Sequence, residues 1–223
     1  MPAFCSLEAP AHRAKRGLIV AILVAVVSLV ADFQQWSLTK RIAAHDATLH
    51  DITVNDRIQA ALGLAQLVAF LLAAILFLRW FHRAYANLRA LGADGLPHGP
   101  GWAVGYWFVP IINLVRPATV ACDIWNASDP GADPVSWRRR KHPAFVLAWW
   151  LTFLLAGIIT RAGVQLWNGA DDPTALRQAA IVFLVADVFF LVAGTLAVTF
   201  VRRTTARQQR RASSLQLLTP AHP

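Results

Sequence analysis

The chain has 223 residues, of which 57% are hydrophobic and only 15% charged, and its mean hydropathy is +0.47. Those proportions exclude an ordinary soluble domain and identify a membrane protein. The net charge of +9 does not point to nucleic acid, because the basic residues form short clusters beside apolar runs, where anionic headgroups meet them.

A hydrocarbon core about 30 Å thick needs about 20 apolar residues per helix. After a tail over residues 1–16 that carries His12, Arg13, Lys15 and Arg16, the first apolar run begins at Gly17. This opening resembles a signal sequence with a weak cleavage site at Leu29-Val30-Ala31. The run continues to Phe33, however, so an uncleaved first span over residues 17–36 is expected. Residues 37–57, with Asp46, Asp51 and Asp56, form a connection that continues helically from it. The second span covers residues 58–78 and runs into Arg79, Arg83 and Arg89. Residues 102–125 are apolar and aromatic but interrupted by prolines. The third span covers residues 144–162, and a turn with Gly169 and Pro173 leads to the fourth, residues 175–201, which is long enough to tilt or project. The basic tail, residues 202–223, has no periodic apolar face and reads as a frayed helix end followed by disorder. The expected fold class is an all-α membrane protein. Its single membrane domain, residues 17–201, holds four transmembrane helices plus a Pro-broken re-entrant or interfacial helical segment.

Orientation follows from the Lys and Arg count. Of the 21 such residues, 16 precede the first span, lie between the second and third, or follow the fourth. Lys40, Arg41, Arg57, Arg161 and Arg177 remain for the other side. The positive-inside rule therefore makes both termini cytoplasmic. A crossing by residues 102–125 would move Arg138-Arg139-Arg140-Lys141 outside, so that segment is expected to enter and leave on the cytoplasmic side. Cys5 and Cys122 then both face the cytoplasm, lack CxxC or zinc-like spacing, and read as free thiols.

Within the broken segment, Pro110 and Pro117 each remove a backbone donor, and Gly99-Pro100-Gly101 breaks its start. Trp102, Tyr106, Trp107 and Trp125 favour interfacial depth. Asn113 and Arg116, three apart, are expected on one helical face. The run Arg83-Ala-Tyr-Ala-Asn87-Leu-Arg-Ala-Leu-Gly92, then Pro100-Gly-Trp-Ala-Val-Gly-Tyr-Trp-Phe108, Pro110-Ile-Ile-Asn113-Leu-Val-Arg116-Pro117 and Asp123-Ile-Trp125 resembles the central signature of the bacterial domain-of-unknown-function family 4328. The resemblance covers roughly residues 18–205. It implies an uncharacterised multi-pass protein of the bacterial cytoplasmic (inner) membrane and supplies no activity or catalytic residues.

Arg83, Asn87, Asn113 and Arg116 are candidates to converge on a lipid phosphate or another anion. The plainer alternative has Asn87 and Asn113 capping helix ends and the arginines snorkelling to headgroups. Asp123 is a candidate partner for Arg116 or Arg83. At about 1.5 Å per residue, Gln66 and Asp187 lie about 20 Å from the cytoplasmic ends, Asp32 about 24 Å and Arg161 about 28 Å, which groups them in one polar layer. Buried polar groups in spans need partners. A transport reading makes Asp187 a cation or proton site; a structural reading, which is favoured, pairs it with Arg161 or Gln66.

His45-Asp46 and His50-Asp51 cannot share a metal, since a five-residue step turns them about 140° apart on a helix. No Ser-His-Asp, Cys-His or HExxH arrangement is present, and the glycines between Gly92 and Gly101 lack a Walker lysine. No catalytic residue, metal or cofactor is therefore expected. The expected partners are the bilayer, anionic lipids in it, and a protein partner or a second copy of the chain. The leading reading is a non-enzymatic membrane protein that engages anionic headgroups or a protein through a basic, aromatic cytoplasmic surface. The alternative is a small transporter or channel with Asp187 in its polar layer.

Overall fold

In the computed structural model, which describes residues 4–218, all regular structure is helical. Four helices are long and apolar enough to cross a membrane: α1, Glu8–Ala43; α2, Leu49–Ala90; α5, Ala144–Asn168; and α6, Pro173–Leu218. Between α2 and α5 lies an insertion with two short helices, α3, Pro100–Gly105, and α4, Arg116–Ala127, and two 3-10 turns, Ile112–Leu114 and Ser136–Arg139. The fold class is as expected, an all-α protein with four apolar helices and a broken segment.

Local chemistry sets the boundaries. At the start of α2, Asp51 Oδ2 accepts the Thr48 N–H at 2.9 Å while Thr48 Oγ1 accepts the Asp51 N–H at 3.1 Å, a reciprocal capping box. Arg41 pairs with both Asp46 and Asp51 and closes the α1–α2 turn. At the end of α2, Gly92 takes a φ of +75° and the Ala93 N–H returns to the Leu88 carbonyl at 3.0 Å, which stops the helix as only a residue without Cβ does easily.

The break after α3 is centred on Ile111. Its φ is 66° and the Ile112 N–H bonds the Pro110 carbonyl at 2.7 Å, a γ-turn of the sparsely populated kind. Val115 then departs from helical geometry at φ −124°, so Asn113 and Arg116 belong to different elements and the shared helical face does not exist.

The chain folds as two compact units. The insert unit holds residues 73–148 with the start of α1 and the part of α6 from Leu196 on. It thus contains the end of α2, the start of α5 and the whole insertion between them, so the insertion leaves and returns within one unit. Its core stacks Phe77, Trp80 and Phe81 with Trp107 and Phe200. The Trp80 Nε1–H reaches Thr205 Oγ1 at 3.1 Å.

The basic tail is not frayed: α6 continues to Leu218, and residues 219–223, also expected to be disordered, lie outside the described residues. Val201, Thr204, Thr205, Gln208, Arg211 and Ala212 form its buried face. Gln208 donates to the Ala84 carbonyl (2.8 Å) and Ser128 Oγ (3.0 Å) and accepts from Asn87 Nδ2 (3.2 Å). Arg211, 4% exposed, donates to the carbonyls of Leu91, Ala127 and Asp129 at 2.8, 2.8 and 2.9 Å. Those oxygens lie just past the C-terminal ends of α2 and α4, where helices leave carbonyls without intrahelical partners and where cations are favoured.

The cavity unit holds residues 18–72 and 149–195. Phe70 packs on Phe153 and Phe190, and Trp149 on Trp150. Small residues permit close approach at Gly194, where a Cβ would lie 2.8 Å from Ile22 Cγ1, but Gly157 faces open space.

Candidate functional site

The cavity unit encloses a cavity of about 650 Å³. Its polar wall is built from stripes at helical spacing: Ser28, Asp32 and Gln35 on α1, and Asp56, Gln59 and Gln66 on α2. Asp187 enters from α6, and Thr160, Trp167 and Asn168 from α5. Phe70, Phe183 and Phe190 supply an aromatic wall. Three aspartates line this space and, among the described residues, no Lys, Arg or His does.

Asp187 and Asp32 are hydrogen-bond partners. Two bare carboxylates in such contact repel each other. Asp32 Oδ1 also accepts from Gln59 Nε2 at 3.0 Å. Asp187 is only 8% exposed, and its Oδ2 is buried without a hydrogen-bond partner. Ser28 Oγ, on the same wall, is likewise buried and unpartnered. Buried polar oxygens are almost always satisfied in folded proteins, and these two are exceptions among the described residues.

The expected polar layer is therefore assembled in part. Asp32, Gln66 and Asp187 face one cavity, but Arg161 is exposed and outside it. Neither Arg161 nor Gln66 is the partner of Asp187; another acid is. Depth alone does not decide which side chain faces the cavity: Thr160, Val164, Trp167 and Asn168 line it from α5, and Arg161 does not. Gln35, Gln59 and Asp56 were missed, although Gln35 lies three residues after Asp32, and Gln59 and Asp56 seven and ten residues before Gln66, all steps that keep one helical face.

In the insert unit, Arg83 and Asn87 line a separate cavity with Cys5, Arg79 and His82, and neither Asn113 nor Arg116 reaches it. The Asn87 side chain is committed elsewhere: Oδ1 accepts the Cys5 N–H at 3.1 Å, and Nδ2 donates to the Cys5 carbonyl at 2.8 Å and to Gln208. It clamps the N-terminal segment rather than capping a helix. Arg116 lies over the Tyr106 ring at 5.7 Å, and no side-chain hydrogen bond is made by Asn113 among the described residues. Asp123 forms no ion pair with Arg116 or Arg83; burial raises its carboxyl to about 6 against the attraction of Arg138, His142 and Arg116. Cys5 and Cys122 are not joined in a disulfide, and burial, with Asp123 beside it, pushes Cys122 to about 12.

The profile of a domain of unknown function, DUF4328, matches residues 43–206. The chain belongs to the DUF4328 family. The matched stretch begins at the end of α1 and takes in α2, the insertion, α5 and most of α6, so the wall of the cavity contributed by Ser28, Asp32 and Gln35 lies outside the DUF4328 match. No curated protein and no solved structure is similar to the chain.

Proposed function

We propose that this DUF4328 protein is a non-enzymatic carrier that binds a small organic cation in the cavity unit and exchanges it for the proton held between Asp32 and Asp187. The observation that carries this reading is the composition of the cavity wall: three aspartates, no cationic side chain, and one buried carboxylate oxygen with no partner. Ionisable residues inside spans are costly and mark function by default. The volume of about 650 Å³ suits a drug-sized ligand of 300 to 1,000 Å³, roughly. Phe70, Trp167, Phe183 and Phe190 supply ring faces that attract cations. Among the described residues no three His, Cys, Asp or Glu side chains gather closely enough to hold a metal ion, which favours an organic cation.

The same proposal sets the protein in a bacterial inner membrane with both termini cytoplasmic. The broken segment then lies at the inner interface, a placement supported by its exposed Trp102, Phe108, Ile111, Leu114 and Val115. The test is uptake of ethidium into proteoliposomes under an imposed pH gradient. Wild-type vesicles accumulate the dye above empty vesicles, and Asp187→Asn, correctly folded, abolishes the excess. Equal uptake by wild type and Asp187→Asn would overturn the proposal, as would no excess over empty vesicles.

A further inference from the structure

The insert unit carries a second site, unrelated to the acidic cavity. A groove of about 490 Å³ is walled by Trp125, Pro130 and four arginines of α6, Arg202, Arg203, Arg207 and Arg210. Arg203, Arg207 and Arg210 follow each other at four and three residues and so share one helical face.

Three of the four charges of this groove are not neutralised. Among the described residues no carboxylate lines it. Arg207 pairs with Asp129, but that carboxylate also takes the Arg140 Nη1 at 2.7 Å. Arg202, Arg203 and Arg210 are exposed and make no ion pair among the described residues. Burial works to raise the Asp129 carboxyl, yet the Gly131 N–H and the two guanidiniums outweigh it and hold it below the usual carboxylate range. Asp129 is therefore a fixed anchor and not a spare counter-ion.

Arg207 is held as a positioned donor. Its guanidinium lies over the Trp125 ring at 4.0 Å, and its Nε is buried without an acceptor. Planar, stacked guanidiniums with free N–H groups match the tetrahedral oxygens of a phosphate. Arg202 and Arg203 directly follow the apolar stretch that ends at Val201, which puts the groove at the depth where headgroup phosphates lie. The alternative, a set of arginines merely repelled into solvent, leaves the buried Nε and the stacked geometry unexplained.

We propose that this arginine groove binds a phosphate group, with either an anionic phospholipid headgroup or soluble phosphate as its source. The probes are phosphatidylglycerol and phosphatidylcholine, followed by native mass spectrometry of the full chain in mild detergent, and inorganic phosphate, followed by thermal shift. The triple variant Arg202→Gln/Arg203→Gln/Arg210→Gln removes three charges from exposed positions. Its control, Arg13→Gln/Lys15→Gln/Arg16→Gln, removes the same charge from the start of α1.

The wild type binds phosphatidylglycerol in preference to phosphatidylcholine, or is stabilised by inorganic phosphate. The groove variant weakens that binding at least about tenfold, roughly 1.4 kcal/mol, while the control stays near wild type. Binding of the lipid alone makes the headgroup the ligand; a response to inorganic phosphate alone makes it soluble. Equal weakening in both triple variants would reduce the effect to diffuse attraction and overturn the site, as would no binding of any probe by the wild type. Arg203→Gln and Arg210→Gln singly carry the same comparison should the triple variant not purify.

Discussion

Two clusters of buried polar side chains, one in each unit, are built in opposite ways. In the insert unit, Asn87, Gln208 and Arg211 are 3%, 0% and 4% exposed, and their donors meet carbonyls or each other at 2.8 to 3.2 Å. In the cavity unit, Asp187 is nearly as buried but meets a second acid and keeps an oxygen unpartnered. A satisfied polar group specifies one arrangement of helices, because any other strands it without water. An unsatisfied one is an unfinished interaction. The comparison opposes a cluster of satisfied polar groups to a buried acid that is not satisfied, and it can be broken from either side.

The largest effect is expected at Arg211. Arg211→Met keeps most of the stem volume but strands the carbonyls of Leu91, Ala127 and Asp129. Charged hydrogen bonds to buried partners are worth about 1.5 to 3 kcal/mol each, so a loss of at least about 3 kcal/mol is expected in thermal or denaturant unfolding in detergent, read by tryptophan fluorescence. A loss under about 1 kcal/mol would mean that this network is ornament and the contrast between the units is false.

That network also marks where the sequence stopped being legible. The four spans, the insertion and its breaks were readable because apolar runs, Pro110, Pro117 and Gly92 act locally. The ordered end of α6 was not, since its buried stripe, Thr204, Thr205, Gln208 and Arg211, is polar and hydrophobic periodicity is blind to it. A three- and four-residue polar step carries the same helical information when the partners are backbone carbonyls of other helices. The acidic cavity was half legible for a related reason. Depth along a helix follows from counting, whereas facing requires the neighbouring helices, so Asp32, Gln66 and Asp187 were grouped correctly and Arg161 was not.

An intermediate effect belongs to Asp123, an acid of the insert unit with no ion pair. Its folded value near 6 lies above the unfolded value near 3.8. The folded chain therefore holds a proton that the unfolded chain releases between those limits, and stability falls as pH rises through that window. The full shift corresponds to about 3 kcal/mol, and the drop is smaller than that with the water still reaching this half-buried side chain. Asp123→Asn should flatten the stability profile between pH 4 and 6, roughly, and raise stability at neutral pH by about 1 kcal/mol. An unchanged profile in an unfolding titration would remove Asp123 as a strained acid.

The smallest effect on stability is expected where the largest effect on function is proposed. Asp187→Asn replaces one member of a proton-sharing pair by an amide, and the new Nδ2–H groups can donate to the Asp32 carboxylate in place of the shared proton. No ion pair is lost, because Asp187 has none, and the volume is conserved. Unfolding free energy should stay within about 1 kcal/mol of wild type, measured by the same tryptophan signal as for Arg211→Met. A loss comparable to that of Arg211→Met would make Asp187 a structural residue like Gln208 and erase the difference between the two units. A small loss, combined with absent ethidium uptake, separates the two roles cleanly: the unpartnered oxygen then contributes nothing to holding the helices together and everything to what enters between them.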